Sequence, residues 1–264
     1  MKKRKVRQFG PLSVFYACLA YTFLYLPVLV VIIYSFNSSE RNVVWEGFTL
    51  KWYREMFFNE ELMGAFRNTV LVALASTILS TVLGTLCAIG MQRFEFKLKK
   101  LLNTALYIPI VIPELVFAIA FLAFFSLLDI DMNMVTLIIS HVTFSLPFVV
   151  ITVRSRLAGM DPSIREAARD LGAGELHTFF RVTLPMISPA VIAGAMLALT
   201  LSLDDVVVSY FTAGPDSQTM PLVIMSMVKK GISPDVNALS TLMILGTFFI
   251  LFFSTRIQNR LEAE

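Results

Sequence analysis

The chain has 264 residues, of which 56% are hydrophobic and 16% charged, with a formal net charge of +3. Together with a mean hydropathy of +0.74, this excludes an ordinary soluble domain and places the chain among membrane proteins. The positive charge does not point to nucleic acid, because the 22 Lys and Arg group at the ends of apolar segments.

A basic tail, Lys2 to Arg7, leads into a charge-free run from Leu12 to Phe36. That run exceeds the roughly 20 residues a span needs, and Pro27 inside it predicts a kink. It is too long, and lacks the small-residue cleavage pattern, for a cleavable signal peptide. The polar interval Asn37 to Arg67 follows, with Trp45, Trp52 and Tyr53 suited to a membrane interface and a short surface helix expected over Thr49 to Phe58. Further spans are expected at 68–91, at 101–128 (broken by Pro109 and Pro113 and carrying Glu114), and at 132–153 (with His141 and Pro147). A fifth, at 189–211, carries Asp204 and Asp205. The interval 212–235 holds Gly214-Pro215 and an amphipathic piece, Pro221 to Val228, before a sixth span at 236–255. The reading is all-α: one polytopic membrane domain, residues 1–264, with six transmembrane helices. Cys18 and Cys87 fall inside apolar segments and are expected to be packing residues without a disulfide.

Six spans put both termini on one side. Sixteen of the 22 Lys and Arg lie in the two tails and in the second and fourth loops. The opposite loops hold only Arg41, Lys51, Arg54, Arg67, Lys229 and Lys230. The positive-inside rule therefore places both termini, and the stretch 161–185, in the cytoplasm.

That stretch is the most structured of the polar intervals. Asp161-Pro162 has the chemistry of a helix start, Asp as the N-cap and Pro at the first helical position. Gly172, with Gly174 behind it, reads as the stop. A second short helix from Glu175 to Val182 then runs into Leu184-Pro185. Ala167 and Ala168 leave a face on which another surface can sit closely; the alternative is an amphipathic helix resting on lipid.

The ionisable residues inside the spans are Glu114, Asp204 and Asp205. Each costs roughly 2.5–3.5 kcal/mol to insert and so marks a candidate pathway. By helical rise Glu114 lies about 20 Å from the inner end of its span and Asp204 about 22–24 Å from the end of its own. On a continuous helix Asp204 and Asp205 point about 100° apart, so only one should face a cavity squarely. Three carboxylates spread along a path, with no Lys or Arg in the spans, favour a long cation with several amines. Tyr107 and Tyr210 are candidates for cation–π contact. The alternative is that the carboxylates hydrogen-bond helix termini near the breaks. His141 has no metal-ligand spacing around it and is expected to make a helix–helix hydrogen bond; no metal site is expected. No phosphate-cradling Gly-rich loop, HExxH or GxSxG pattern occurs, so no catalytic residue and no cofactor are assigned to this chain.

The spacing Glu166-Ala167-Ala168, Gly172, Val182-x-Leu184-Pro185 resembles the coupling-helix region of membrane subunits of bacterial ABC importers. Three further runs are similar to the PotC-type family of spermidine/putrescine permeases: Ser35-Phe36-Asn37-Ser38-Ser39 with Trp45-x-Gly47-Phe48-Thr49-x-Lys51-Trp52-Tyr53, Leu201-Ser202-x-Asp204-Asp205-Val206-Val207-Val208-Ser209, and Ser226 to Leu239. The resemblance covers about residues 20–255. It implies a type I (MetI-like) permease fold in the bacterial inner membrane and transport by alternating access. Glu166, Ala167, Ala168, Gly172, Leu184 and Pro185 would then serve ATPase coupling, and Glu114 and Asp204 the cargo site. The implied partners are a second permease of the PotB type, two ATPase subunits that bind the ATP and Mg, a periplasmic substrate-binding protein, membrane lipid and the polyamine. One departure is that Glu114 follows Pro113 where the family pattern leads us to expect Asp. The alternatives are an ABC permease for another small solute such as iron or phosphonate, an ion-gradient-driven transporter using the carboxylates as a proton relay, and a structural subunit that anchors an ATPase.

Overall fold

A computed structural model describes residues 10–40, 44–230 and 234–263. In chain order the helices are α1 (Pro11–Tyr34), α2 (Lys51–Phe58), α3 (Glu60–Arg93), α4 (Lys99–Val111), α5 (Glu114–Leu127) and α6 (Met134–Ala158). They continue with α7 (Pro162–Asp170), α8 (Glu175–Thr178), α9 (Leu184–Leu203), α10 (Val207–Thr212), α11 (Met220–Lys230) and α12 (Pro234–Ala263). The chain forms two units, Met1–Asn59 with Met227–Leu245, and Glu60–Ser226 with Gly246–Glu264.

Among the described residues, five helical stretches are long and apolar enough to cross a membrane, and the bent pair α4–α5 makes a sixth if it counts as one span. The spans extend past their expected ends. α3 starts at Glu60 rather than 68, and α6 runs to Ala158 rather than 153. Charged Glu60, Glu61, Arg154 and Arg156 end the apolar run without ending the helix, since Glu and Arg are good helix formers. Cys18 and Cys87 are both free.

In the first unit the segment after α1 folds around one side chain. Asn37, fully buried, donates through Nδ2 to the Val44 carbonyl at 2.7 Å and accepts the Glu46 N–H at 2.9 Å. Its carbonyl accepts from Trp52 Nε1 at 2.7 Å. An isolated antiparallel bridge joins Asn37 to Phe48, and Phe36 stacks on Phe48 and leans on Tyr53.

In the second unit α3, α6 and α9 pack against one another. The core is Ala88, Ile89, Met91, Leu106, Val149, Val150, Val153, Ile187 and Ala198. Two glycines set the approach. A methyl group on Gly84 of α3 would lie 2.9 Å from Val149 Cβ, and one on Gly194 of α9 would lie 3.3 Å from Val149 Cα. Small residues at such contacts let helix backbones come close where no hydrophobic gradient drives them together. The loop after α10 is held at Gly214, where any side chain would overlap the Met132 carbonyl, and by Asn68 and Thr69 of α3, which bind Asp216, Gln218 and Met220.

Candidate functional site

The second unit carries both regions marked by the sequence. In the 161–185 stretch Asp161 caps α7, its side chain accepting the Ser163 N–H at 2.9 Å. That bond holds the Asp161 carboxyl below its ordinary range. Gly172 has φ +86°. The Ala173 N–H reaches the Ala168 carbonyl and the Gly172 N–H reaches that of Arg169, the paired bonds of a Schellman stop that glycine makes easy. Beyond it, the expected second helix is continuous with the next span. α8 passes through a π-helical turn, Phe179–Thr183, into α9. Glu175 at the start of α8 bonds Arg93 at 2.6 Å and lies 3.3 Å from Arg169. The Arg93 bond, then the charges of Arg93 and Arg169, hold its carboxyl low.

Glu166, Ala167, Gly172 and Pro185 are exposed, Ala168 is half-buried, and Leu184 packs against the core. Ile164, Leu171, Leu176 and Phe180 are also exposed, Leu171 at 90%. An exposed apolar set beside a polar helix marks an interaction surface, for a partner or for lipid.

The acidic residues are arranged differently from the expectation. Both segments that carry them are broken. α4 ends at Val111, Ile112 and Pro113 are extended, and α5 leaves at 113° with Glu114 as its first residue. α9 ends at Leu203, and α10 starts only at Val207. α5 and α10 pack on each other, so the breaks meet. Glu114 lies close enough to Asp205 and Asp204 for their charges to interact. The three carboxylates are therefore gathered rather than spread along a path. The 100° argument does not apply to Asp204 and Asp205, because the helix it assumed stops before them.

At the second break the two aspartates part. Asp205 is buried, and its oxygens accept Val208 N–H at 3.1 Å, Ser209 N–H at 2.7 Å and Ser209 Oγ–H at 2.6 Å. It thus supplies acceptors for the free N–H groups at the start of α10. Asp204 is exposed. Glu114 is half-buried, and Tyr107 and Tyr210 are exposed. Behind Asp205 stands His141 of α6, 3.3 Å from Asp205 Oδ2. Its Nδ1 meets Ser202 Oγ at 2.8 Å and its Nε2 meets Ser209 Oγ at 3.1 Å. It makes the expected interhelical bonds and, in addition, a carboxylate contact that its sequence neighbourhood does not reveal. Among the described residues no three His, Cys, Asp or Glu side chains converge at metal-binding distance.

Residues 80–264 match the family model described as "Binding-protein-dependent transport system inner membrane component". The chain is 43% identical over 237 residues to the spermidine/putrescine transport system permease protein PotC of Escherichia coli strain K12, covering 90% of each. It is 37% identical to the putrescine transport system permease protein PotI of the same organism, covering 97% of this chain and 93% of that one. In fold it is similar to a chain of a bacterial ABC transporter involved in the import of the acidic polysaccharide alginate. There the TM-score is 0.71 at 18% identity, over 94% of this chain and 95% of that one.

Proposed function

The chain belongs to the inner membrane components of binding-protein-dependent transport systems, and on that premise we propose that it is a permease subunit of an ABC importer for polyamine cations such as spermidine and putrescine. The observation that carries the cargo class is the meeting of Glu114, Asp204 and Asp205 at two helix breaks, in segments free of Lys and Arg. Carboxylates held near one another repel, and an ammonium group between them relieves that repulsion. Asp205 is already committed to α10, so Glu114 and Asp204 are the groups left to face cargo, gripping one amine at a point while the rest of the chain extends along the path.

This chain does not hydrolyse ATP; two partner ATPase subunits bind the nucleotide and Mg. They dock on the cytoplasmic surface of α7 and α8 formed by Glu166, Ala167, Ala168 and Gly172, with Leu184 and Pro185 joining that surface to α9. A second permease of similar fold completes the pathway, and a periplasmic binding protein delivers the polyamine. Closure of the ATPase pair moves α7 and α8 and switches the spans from inward to outward facing.

The test is uptake of labelled spermidine by vesicles holding the complete importer. Glu114→Gln and Asp204→Asn should each lower uptake about tenfold or more, as expected when a charge-assisted contact of ~1.5–3 kcal/mol is lost. Normal uptake by both variants refutes the cargo site. Uptake by this chain with no ATPase subunit present refutes the importer reading.

A further inference from the structure

We infer that His141 is a positioning residue for cargo: it holds the α9–α10 break in the one arrangement that turns Asp204 outward. The inference rests on the polyamine-permease reading for its cargo arm.

Between Leu203 and Val207 the chain has left the helix. A carboxylate there could turn either way unless something anchors it. Asp205 is the anchor, since both its oxygens accept bonds from α10. His141 in turn grips both sides of the break, Ser202 on α9 through Nδ1, and Ser209 on α10 together with Asp205 in the break itself through Nε2.

The hydrogen bonds run in a consistent direction. Ser209 Oγ gives its proton to Asp205, so it accepts from His141 Nε2–H. Nδ1 is then the acceptor and takes the Ser202 hydroxyl proton, while Ser202 accepts from Ser76 Oγ of α3 at 3.1 Å. His141, Ser202 and Ser209 thus each donate one of these hydrogen bonds and accept one, and four helices are joined around one imidazole. The crevice around it, lined by His141, Phe144, Ser202, Asp205 and Val208, is too narrow for a water molecule. Water therefore cannot replace a bond lost there, which is where an unsatisfied polar group costs most. Touching no solvent-facing surface itself, His141 acts on cargo only through Asp205 and the position it leaves to Asp204.

The experiment uses the complete importer with His141→Gln, His141→Asn, Ser209→Ala and Ser202→Ala. Gln reaches the Nε2 side of the network and Asn only the Nδ1 side. The expected result is that H141N and S209A lower polyamine taken up per ATP hydrolysed by about tenfold, the size of one buried hydrogen bond. ATPase stimulation by the loaded binding protein should stay near wild type, and H141Q should recover most of the ratio. A second arm needs no cargo: Asp204→Cys should react with a cationic thiol reagent at a rate that shifts several-fold when H141N is added. Uptake per ATP unchanged in H141N and S209A overturns the inference. So does a parallel fall of uptake and ATPase in every variant with no recovery in H141Q. Should the His variants fail to assemble, S209A and S202A decide, and a wild-type ratio in both overturns it. A shifted labelling rate in an importer that takes up no polyamine supports the positioning role and refutes the cargo reading alone.

Discussion

The contact of Val149 with two glycines makes a quantitative test of how the second unit is packed. Gly84→Ala adds a methyl 2.9 Å from both Val149 Cβ and Cγ1, well inside ordinary carbon–carbon contact of about 3.5–4.0 Å. Val149 is fully buried, β-branched and helical, so it has little rotamer freedom. Gly194 also packs closely against it, since a methyl there would lie 3.3 Å from Val149 Cα. Val149 cannot retreat, and overpacking of this kind costs about 1–3 kcal/mol. Gly90 on the same helix has no atom within 4 Å of where a Cβ would stand. Gly90→Ala therefore shares the helix-propensity gain of up to about 1 kcal/mol without the clash, and the difference between the variants isolates the steric cost. For a chain of this size that difference corresponds to roughly 2–12 °C in melting temperature. The measurement is thermal unfolding of both variants in one detergent, followed by fluorescence or static scattering. G84A should melt below G90A. If it melts at the same temperature or higher, α3, α6 and α9 are not packed as described.

Asn37→Ala removes the side-chain bonds to Val44 and Glu46 and should loosen 35–53 by about 2–4 kcal/mol. Trp45 and Trp52, the two tryptophans of the chain, both lie in that segment, so a red-shifted emission spectrum reports the change directly. Asp161→Ala removes the cap of α7, read as faster amide exchange over 163–170. Asp161 and Glu175 both have folded pKa values depressed below their ordinary 3.8 and 4.5. Their contribution is thus fully present above the ordinary values and fades as pH falls through the depressed ones. A spin label at Leu176→Cys should report constant mobility from pH 8 to 5 and increasing mobility only below about 4.5. Gly172→Ala forces a left-handed residue to carry a Cβ at about 1–2 kcal/mol, and should lower ATPase stimulation in the assembled importer while leaving the spans intact by circular dichroism.

The parts of the molecule that were readable in the sequence are those governed by local chemistry. Asp161-Pro162 and Gly172 delimit α7 because caps and stops depend on the residue and its next few neighbours. The apolar runs located the spans, though not their ends at Glu60 and Ala158, since hydropathy measures the membrane and not the helix. Pro109 and Pro113 announced an interruption, but a proline does not specify the 113° bend that follows it. The break at Asp204–Val206 carries no Pro or Gly, so the residues alone read as continuous helix with the carboxylates spread along it. His141 and Asp205 lie 64 positions apart, and the contact between them is tertiary. The one hint was the recurrence of Ser202 and Ser209 around the aspartates, polar residues that a span carries at a cost.

The stretch Glu175–Leu203 is one apolar helical run of 29 residues, about 43 Å long at helical rise. It begins at the exposed start of α8 and ends at the residue before Asp204. On the proposed coupling to ATPase subunits, with no loop between the two ends a stroke at α8 reaches Asp204 as a pushrod delivers it, less what the π turn takes up. The wider π turn at Phe179–Thr183 is where such a rod can yield, which makes that turn the natural place to tune how much of each stroke arrives.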